Sequence, residues 1–276
     1  MNEPSYIDTH VHVQMAEFDD DRKDVLRRYR ESGVQWVVCP GVDIPTSDLS
    51  AQLAQQEPDV YAAVGVHPED CVDAPSDYLS QLSSLAARYG REIVAIGEIG
   101  LDFKEGTPDH AVQMRFFQEQ LQLAADLRLP VIVHSRFAVV ECLSAISHFC
   151  GLRGVLHCFG GTPADVERAV GMDLCVSFTG NITYPGAHGT RAALKACPLE
   201  RLLLETDAPY MPPVPMRGRR NEPSFIVHTY DAAASLLDRD LLELSQRIEQ
   251  TARELFGQHV RREHAGEENV QDHTQP

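Results

Sequence analysis

The sequence has no long hydrophobic stretch. Nowhere does it approach the ~18 uninterrupted apolar residues that a membrane-crossing helix requires. Its opening Met-Asn-Glu-Pro also lacks the basic-then-apolar pattern of a secretory signal, so a cytoplasmic protein with no membrane partner is expected. There is no CxxC pair. The seven cysteines are an odd number, and Cys39, Cys142 and Cys175 sit within apolar runs, which suits reduced, buried thiols better than a disulfide framework. Only Cys158, beside His157, stands out. Lysine is scarce, with only Lys23, Lys104 and Lys195 among 24 basic residues. The formal charge of −17 argues against a broad phosphate-gripping surface, because nonspecific nucleic-acid binding runs on clustered Lys and Arg. Any polyanion must be met locally.

What is present is enough core and a repeated order of elements. A chain of 276 residues, 43% of them hydrophobic, can fill one large α/β barrel or two small domains. Apolar, β-rich runs recur at Tyr6–Thr9, Trp36–Pro40, Val60–Val66, Ile93–Ile96, Val131–Val133, Gly154–Leu156, Leu174–Phe178 and Leu202–Leu204. Amphipathic stretches such as Asp20–Ser32 and Gln113–Leu127 lie between them, several closed by a glycine (Gly33, Gly90, Gly151, Gly171), as helix C-termini commonly are. Strands alternating with helices in this way predict an α/β fold of the TIM (β/α)8 barrel type. An open doubly wound sheet is the alternative, but no GxGxxG follows the first run. Glu222–Leu237 and Leu241–Phe256 read as two further helices. No internal repeat or linker marks a second domain, so residues 1–257 are expected to form one domain. From Gln258 the chain turns polar, and 258–276 is expected to be a disordered tail whose His264 and His273 belong to no site.

The unusual polar residues fall at the C-terminal ends of those runs. In IDTHVHV, His10 and His12 share one face of an extended chain, with Asp8 further back. His67 follows the third run in VGVHP, Glu98 the fourth in AIGEIGLD, His134 the fifth in PVIVHSR and His157 the sixth in GVLHCFGG. Glu205 and Asp207 follow the eighth in LLLETDAPY. A single histidine after an apolar run is more often a core residue than a ligand. Recurrence at one end of a barrel changes that, because barrel enzymes place their chemistry there. Four imidazoles and two carboxylates converging on one mouth suit a pair of divalent cations such as Zn²⁺ or Mn²⁺, which accept mixed nitrogen and oxygen ligands. His10, His12 and Asp207 are then expected to hold one ion, His134 and His157 the other, and Glu98 to bridge both. Asp8 and Glu205, two residues deeper, are placed to orient ligand histidines.

Taken in order, IDTHVH, VGVHP, IGEIGLDF, VIVHSR, GVLHCFGG, SFTGNI, LLETDAPY and RGRRNEP resemble the TatD family of metal-dependent deoxyribonucleases, from about Tyr6 to Gly257. The resemblance implies a TIM barrel of the amidohydrolase superfamily, two divalent ions (Mg²⁺, Mn²⁺ or Zn²⁺) and hydrolysis of DNA phosphodiesters. It further implies 3′-to-5′ exonuclease action, with DNA that is mainly single-stranded or frayed at its ends as partner. It implies the same ligands, His10, His12, Glu98, His134, His157 and Asp207. A monomer is the default expectation.

For catalysis, Asp207 is expected to orient the attacking water and accept its proton, with Glu98 the other catalytic carboxylate. Phosphate contacts are sought on loops after the later strands. Arg219 and Arg220 of RGRRNEP, with Arg217, either pair with phosphate or merely neutralise the acidic surface. Arg136 and His67 are further candidate substrate contacts. Asn221 reads as a helix N-cap, Asp102 as fixing a ligand or a loop, and Tyr184 and Phe159 as base-stacking or packing residues. One rival is a small-molecule amidohydrolase or phosphotriesterase-like enzyme, although such relatives often bridge their metals with a carboxylated lysine where this chain has Glu98. The other is a non-catalytic binding role, against which six ligands at an open mouth exceed the four of a closed structural zinc site.

Overall fold

In a computed structural model that describes residues 4–257, eight strands form one parallel sheet in the order β1 to β8. Strand and helix alternate throughout: β1 (Tyr6–Asp8), α1 (Arg22–Glu31), β2 (Val34–Pro40), α2 (Ile44–Gln56), β3 (Val60–Val64), α3 (Tyr78–Tyr89), β4 (Ile93–Asp102) and α4 (His110–Leu127). The second half repeats the pattern: β5 (Val131–Arg136), α5 (Val139–Ile146), β6 (Gly154–Leu156), α6 (Pro163–Gly171), β7 (Cys175–Phe178), α7 (His188–Ala196) and β8 (Leu202–Leu204). Two helices, α8 (Ile226–Leu237) and α9 (Leu241–Phe256), follow the last strand. The first and last strands meet through hydrogen bonds at and just beyond their ends: Thr9 N to Leu204 O at 3.4 Å, Asp207 N to His10 O at 2.9 Å and His12 N to Ala208 O at 2.8 Å. The result is a nearly closed TIM barrel, the predicted fold. The predicted tail, Gln258 to Pro276, lies outside the described residues.

The strands read as unbroken apolar runs because both faces are covered, one by the barrel interior and one by the helices. All ten residues of β4 are buried. Four of the nine described α-helices, α2, α4, α6 and α9, start where the sequence places acceptors for their free N–H groups. Asp43 and Thr46 form a capping box ahead of α2, Thr162 and Asp165 another ahead of α6, and Asp109 accepts from the first turn of α4. No described helix is long and apolar enough to cross a membrane. All seven cysteines are free; five are buried, while Cys158 is half-buried and Cys150 exposed.

Two strand boundaries differ from the sequence reading, and both matter for the site. β1 stops at Asp8, so His10 and His12 ride on the turn that follows it rather than on its extended edge. β4 continues past Ile96 to Asp102, carrying Glu98 inside a strand. Its apolar pattern is interrupted by Gly97 and Gly100, and its pairing with β5 shifts register between Ile96 and Ile99.

Two buried glutamines of α4, seven residues apart and so on one helix face, fix the ends of the neighbouring strands. Gln113 accepts from Asp102 N at 2.8 Å and donates to Asp102 O at 2.8 Å. Gln120 does the same for Val66, accepting from its N at 2.8 Å and donating to its O at 3.0 Å. Each carboxamide satisfies a backbone pair that the barrel leaves open where a strand gives way to its loop, next to a polar residue of the mouth.

Candidate metal centre

The turn after β1 brings His10 Nε2 and His12 Nε2 to 3.1 Å of each other. Glu98 Oε2 lies 3.2 Å from the first and 3.6 Å from the second. Asp207 Oδ1 lies 3.8 and 3.6 Å from the same two atoms. On the other side of Glu98, Oε1 is 2.8 Å from His134 Nδ1 and 2.7 Å from His157 Nε2, and these two nitrogens are 3.2 Å apart. The two oxygens of one carboxylate thus face two separate donor groups. Four donors at the corners of a tetrahedron with bonds of ~2.0–2.1 Å are about 3.3 Å apart, within the 3.1–3.8 Å of the first group, whereas the second group is drawn in to 2.7–3.2 Å.

For two of the four rings, hydrogen bonding on the far side decides which nitrogen carries the proton. His12 Nδ1 is 3.1 Å from Pro40 O, which only accepts, so Nε2 turns a lone pair inward. His134 Nε2 is 3.0 Å from Asp102 Oδ2, which leaves Nδ1 as the inward lone pair. His157 Nδ1 faces Glu205 Oε1 at 3.4 Å without good hydrogen-bond geometry, so its tautomer is not fixed from that side, and Nε2 is the inward nitrogen, 2.7 Å from Glu98 Oε1. His10 Nδ1 is buried without a partner. Lone pairs aimed at one another in a buried space repel unless positive charge sits among them. The titration shifts of the cluster differ from ring to ring: burial and the neighbouring His157 lower His10. Burial raises the Glu98 carboxyl, but the imidazoles of His157, His10 and His67 outweigh it and hold the group well below the usual carboxylate range. Burial lowers His157, yet Glu98 and Glu205 lift it well above an ordinary histidine. The donors therefore fit a divalent cation: their spacing and the tautomers of His12 and His134 call for positive charge among them.

The surrounding residues hold this array in place. Asp8 makes no hydrogen bond to an imidazole among the described residues; its Oδ1 accepts from His10 N at 3.3 Å and Thr206 N at 2.9 Å, tying the turn after β1 to the loop after β8. Burial pushes its carboxyl up to about 8, against the lowering effect of Thr206 and His10 N. Glu205 accepts from Cys158 N at 2.6 Å and from the Ser177 hydroxyl, and it lies grouped with His10 and His157. The Cys158 thiol is kept protonated, first by burial and then by the nearby negative charge of Asp207 and Glu205. Asp102 lies beside His134, and its Oδ1 also accepts from Lys104 N at 2.9 Å, so it orients a ring and fixes a loop together.

Other candidates fall differently from their sequence reading. His67 Nε2 is 3.5 Å from Glu98 Oε1, inside the cluster, and it groups with Glu98 and His134. Its Nδ1 accepts from Glu69 N at 3.2 Å, so the proton is on Nε2 and the ring points a donor, not a lone pair, into the site. Arg136 lies at the rim, Nη1 3.9 Å from Asp102 Oδ2. Arg219 is exposed and has no side-chain partner among the described residues. Arg220 instead donates to Glu17 O and Asp21 Oδ2 and covers the Phe18 ring at 4.4 Å, which ties it to the segment before α1. Asn221 is not a helix N-cap. It is fully buried, donating to Thr206 O at 2.9 Å and Tyr210 O at 2.6 Å, and so brackets the loop that carries Asp207. Phe159 is 0% exposed and packs edge-on against Phe178. The sequence signal that would have found Asn221 and the α4 glutamines is a polar residue on an otherwise buried face.

A (β/α)8 barrel with such donors gathered at the carboxyl ends of its strands is the architecture of a metal-dependent hydrolase. The sequence matches the family model for TatD related DNases over residues 7–257, and the chain belongs to that family. It is 37% identical to the 3′-5′ ssDNA/RNA exonuclease TatD of Pantoea vagans, over 90% of this chain and 98% of the relative. It is 32% identical to the uncharacterized metal-dependent hydrolase YabD of Bacillus subtilis, again over 90% and 98%. Its structure superposes on the crystal structure of YjjV, a TatD homologue from Escherichia coli, with a TM-score of 0.87 at 32% identity, covering 91% of this chain and 97% of that one.

Proposed function

We propose that the protein removes nucleotides from the 3′ end of single-stranded nucleic acid, DNA in the first place, by hydrolysing phosphodiester bonds. Two divalent cations would be held by His10, His12, Glu98, His134, His157 and Asp207 in one catalytic domain. The observation that carries this reading is the division of Glu98, whose two oxygens face separate donor groups 2.7–3.6 Å away. The relative named as an exonuclease supplies the direction and strand preference. When bound, such an ion pair acidifies a water and neutralises charge developing on the phosphoryl oxygens.

The side chains do the rest. Glu98 has both oxygens committed to the donor groups, whereas the Asp207 side chain is the more open carboxylate, 14% exposed against 4%. Asp207 is therefore placed to orient the attacking water and take its proton. His67 donates through Nε2 to a phosphate oxygen. Arg136 and Arg219 supply at the rim the positive charge that a chain of net −17 otherwise lacks, and Arg220 holds the loop from which Arg219 projects.

The test is digestion of end-labelled single-stranded DNA, duplex DNA and RNA with Mg²⁺, Mn²⁺ or Zn²⁺, beside an aryl phosphate diester and a panel of lactones and amides. A ladder shortening from the 3′ end, faster on single strands, is the expected result. No nucleic-acid cleavage with any metal, with rapid lactone or amide turnover, assigns the site to small-molecule hydrolysis instead.

Asn221 gives a second check. Asn221→Ala leaves the Thr206 and Tyr210 carbonyls without their donor, an expected cost of about 1–3 kcal/mol. It also frees the loop of Asp207, so metal affinity should fall by roughly 10–100-fold. Metal titration and denaturant unfolding read the two effects separately. Wild-type metal affinity in a destabilised variant would confine Asn221 to a structural role.

A further inference from the structure

Six large apolar side chains stand exposed among the described residues. Five of them, Val72, Phe137, Val140, Tyr210 and Val214, lie on the loops or the helix start that follow β3, β5 and β8, which is the mouth of the barrel. A soluble surface scatters such residues singly, and their concentration at one rim marks a surface that meets something. Phe137 is 75% exposed, the highest of the six. Its φ of 56° lies in the left-handed region, which a bulky side chain ordinarily avoids, so the backbone holds this ring outward against its own preference.

Position ties two of these rings to the metal centre. Phe137 directly follows Arg136, whose guanidinium carbon lies 5.8 Å from the ring centroid and whose Nη1 lies 3.9 Å from Asp102 Oδ2. The same Asp102 oxygen is 3.0 Å from His134 Nε2. The Phe137 ring therefore stands outward of the second donor group, with Arg136 and Asp102 between it and His134. Tyr210, 51% exposed, stands edge-on to His12 with centroids 6.5 Å apart, beside the first group. β6 and β7 separate β5 from β8 on one side of the barrel and β1 to β4 on the other, so the rings stand apart across the mouth.

We propose that Phe137 and Tyr210 are stacking platforms for unpaired nucleobases on either side of the scissile phosphate. The proposal rests on the nuclease reading and deepens it by naming what selects single strands. Every base offers a π face, so stacking tolerates any sequence, but a base paired in a duplex has its faces covered by its neighbours. Arginine at the rim meets the flanking phosphates, and the apolar rings meet the bases. The two aromatics that the sequence alone suggests are otherwise engaged: Phe159 is in the core, while Tyr184 bonds Pro212 O through its hydroxyl and lies under Arg217 at 4.2 Å.

The experiment compares wild type, Phe137→Ala, Phe137→Trp and Tyr210→Ala on a single-stranded oligonucleotide. The same sequence is also tested with an abasic nucleotide at the last or the penultimate 3′ position. Phe137→Ala should lower kcat/KM on the intact strand by roughly ten- to hundredfold, the size of one lost stacking contact, and Phe137→Trp should restore most of it. An abasic residue at one of the two positions should cost wild type a similar factor and cost Phe137→Ala little more, because ring and base are one interaction. Tyr210→Ala should couple in the same way to the other position. Thermal melts check folding, which truncation of so exposed a ring leaves intact. Penalties that simply multiply at both positions, or a tryptophan variant as poor as alanine, overturn the stacking proposal alone. Failure of wild type to cleave any oligonucleotide with Mg²⁺, Mn²⁺ or Zn²⁺ overturns the nuclease reading and this proposal with it.

Discussion

Glu98→Gln is expected to lower kcat by about a thousandfold and to leave one of the proposed pair of ions weakly bound. Glutamine keeps the shape of the side chain but has a single carbonyl oxygen, and its other terminus is an NH₂ that only donates. Whichever way the amide turns, one donor group keeps an oxygen and the other meets hydrogens. In one orientation the NH₂ faces His134 and His157, now 2.8 and 2.7 Å from Oε1; in the other it faces His10 and His12, now 3.2 and 3.6 Å from Oε2. The substitution also removes the negative charge that these imidazoles surround, in a space screened from water. Metal content measured by elemental analysis, alongside digestion of a labelled single strand, reads both losses. A variant with full metal content and unimpaired turnover would remove the bridging role. A thermal melt separates this outcome from simple unfolding.

Much of the centre was legible because its residues follow apolar runs that any reader can count. Once eight such runs are placed in a barrel, the histidines and carboxylates that follow six of them have only one mouth to face, and the six proposed ligands do meet there. The details that failed depend on contacts between segments far apart in the chain. Alternation along IDTHVHV suggested a strand edge, but β1 ends at Asp8 and hydrogen bonds from the loop after β8 shape the turn that carries His10 and His12. Gly97 and Gly100 lower the β propensity of β4, so its extension to Asp102 could not be read locally. Asn221 precedes Glu222 and Pro223 and so resembles a cap. Only the return of its loop toward Thr206 and Tyr210 shows what its carboxamide does. The same limit applies to aromatics. Phe159 and Phe137 each follow a strand, and nothing in their neighbours tells which ring turns inward.

Gly100→Ala is expected to cost about 3 kcal/mol or more of stability, at or beyond the upper end of ordinary overpacking. A β-carbon at Gly100 would sit 2.0 Å from His134 O, 2.9 Å from His134 C and 3.0 Å from His134 N. All three are backbone atoms, so no side chain can rotate away to make room. The φ of 142° adds a conformation that alanine rarely adopts. Relief requires β4 and β5 to part where Gly100 pairs with His134, which strains the flanking pairs Ile99 with Val133 and Leu101 with Ser135. The same movement draws Asp102 from His134 Nε2, now 3.0 Å away, so metal affinity should fall along with stability. Gly106→Ala separates the two contributions, because Gly106 also has positive φ, at 91°, but open space around its β-carbon position. That variant carries only the backbone penalty, roughly 1 kcal/mol. Denaturant midpoints give the comparison: the excess loss in Gly100→Ala over Gly106→Ala measures the clash with His134. An equal loss in both would mean that the two strands separate at this level without cost, and that glycine is required at position 100 for its φ alone.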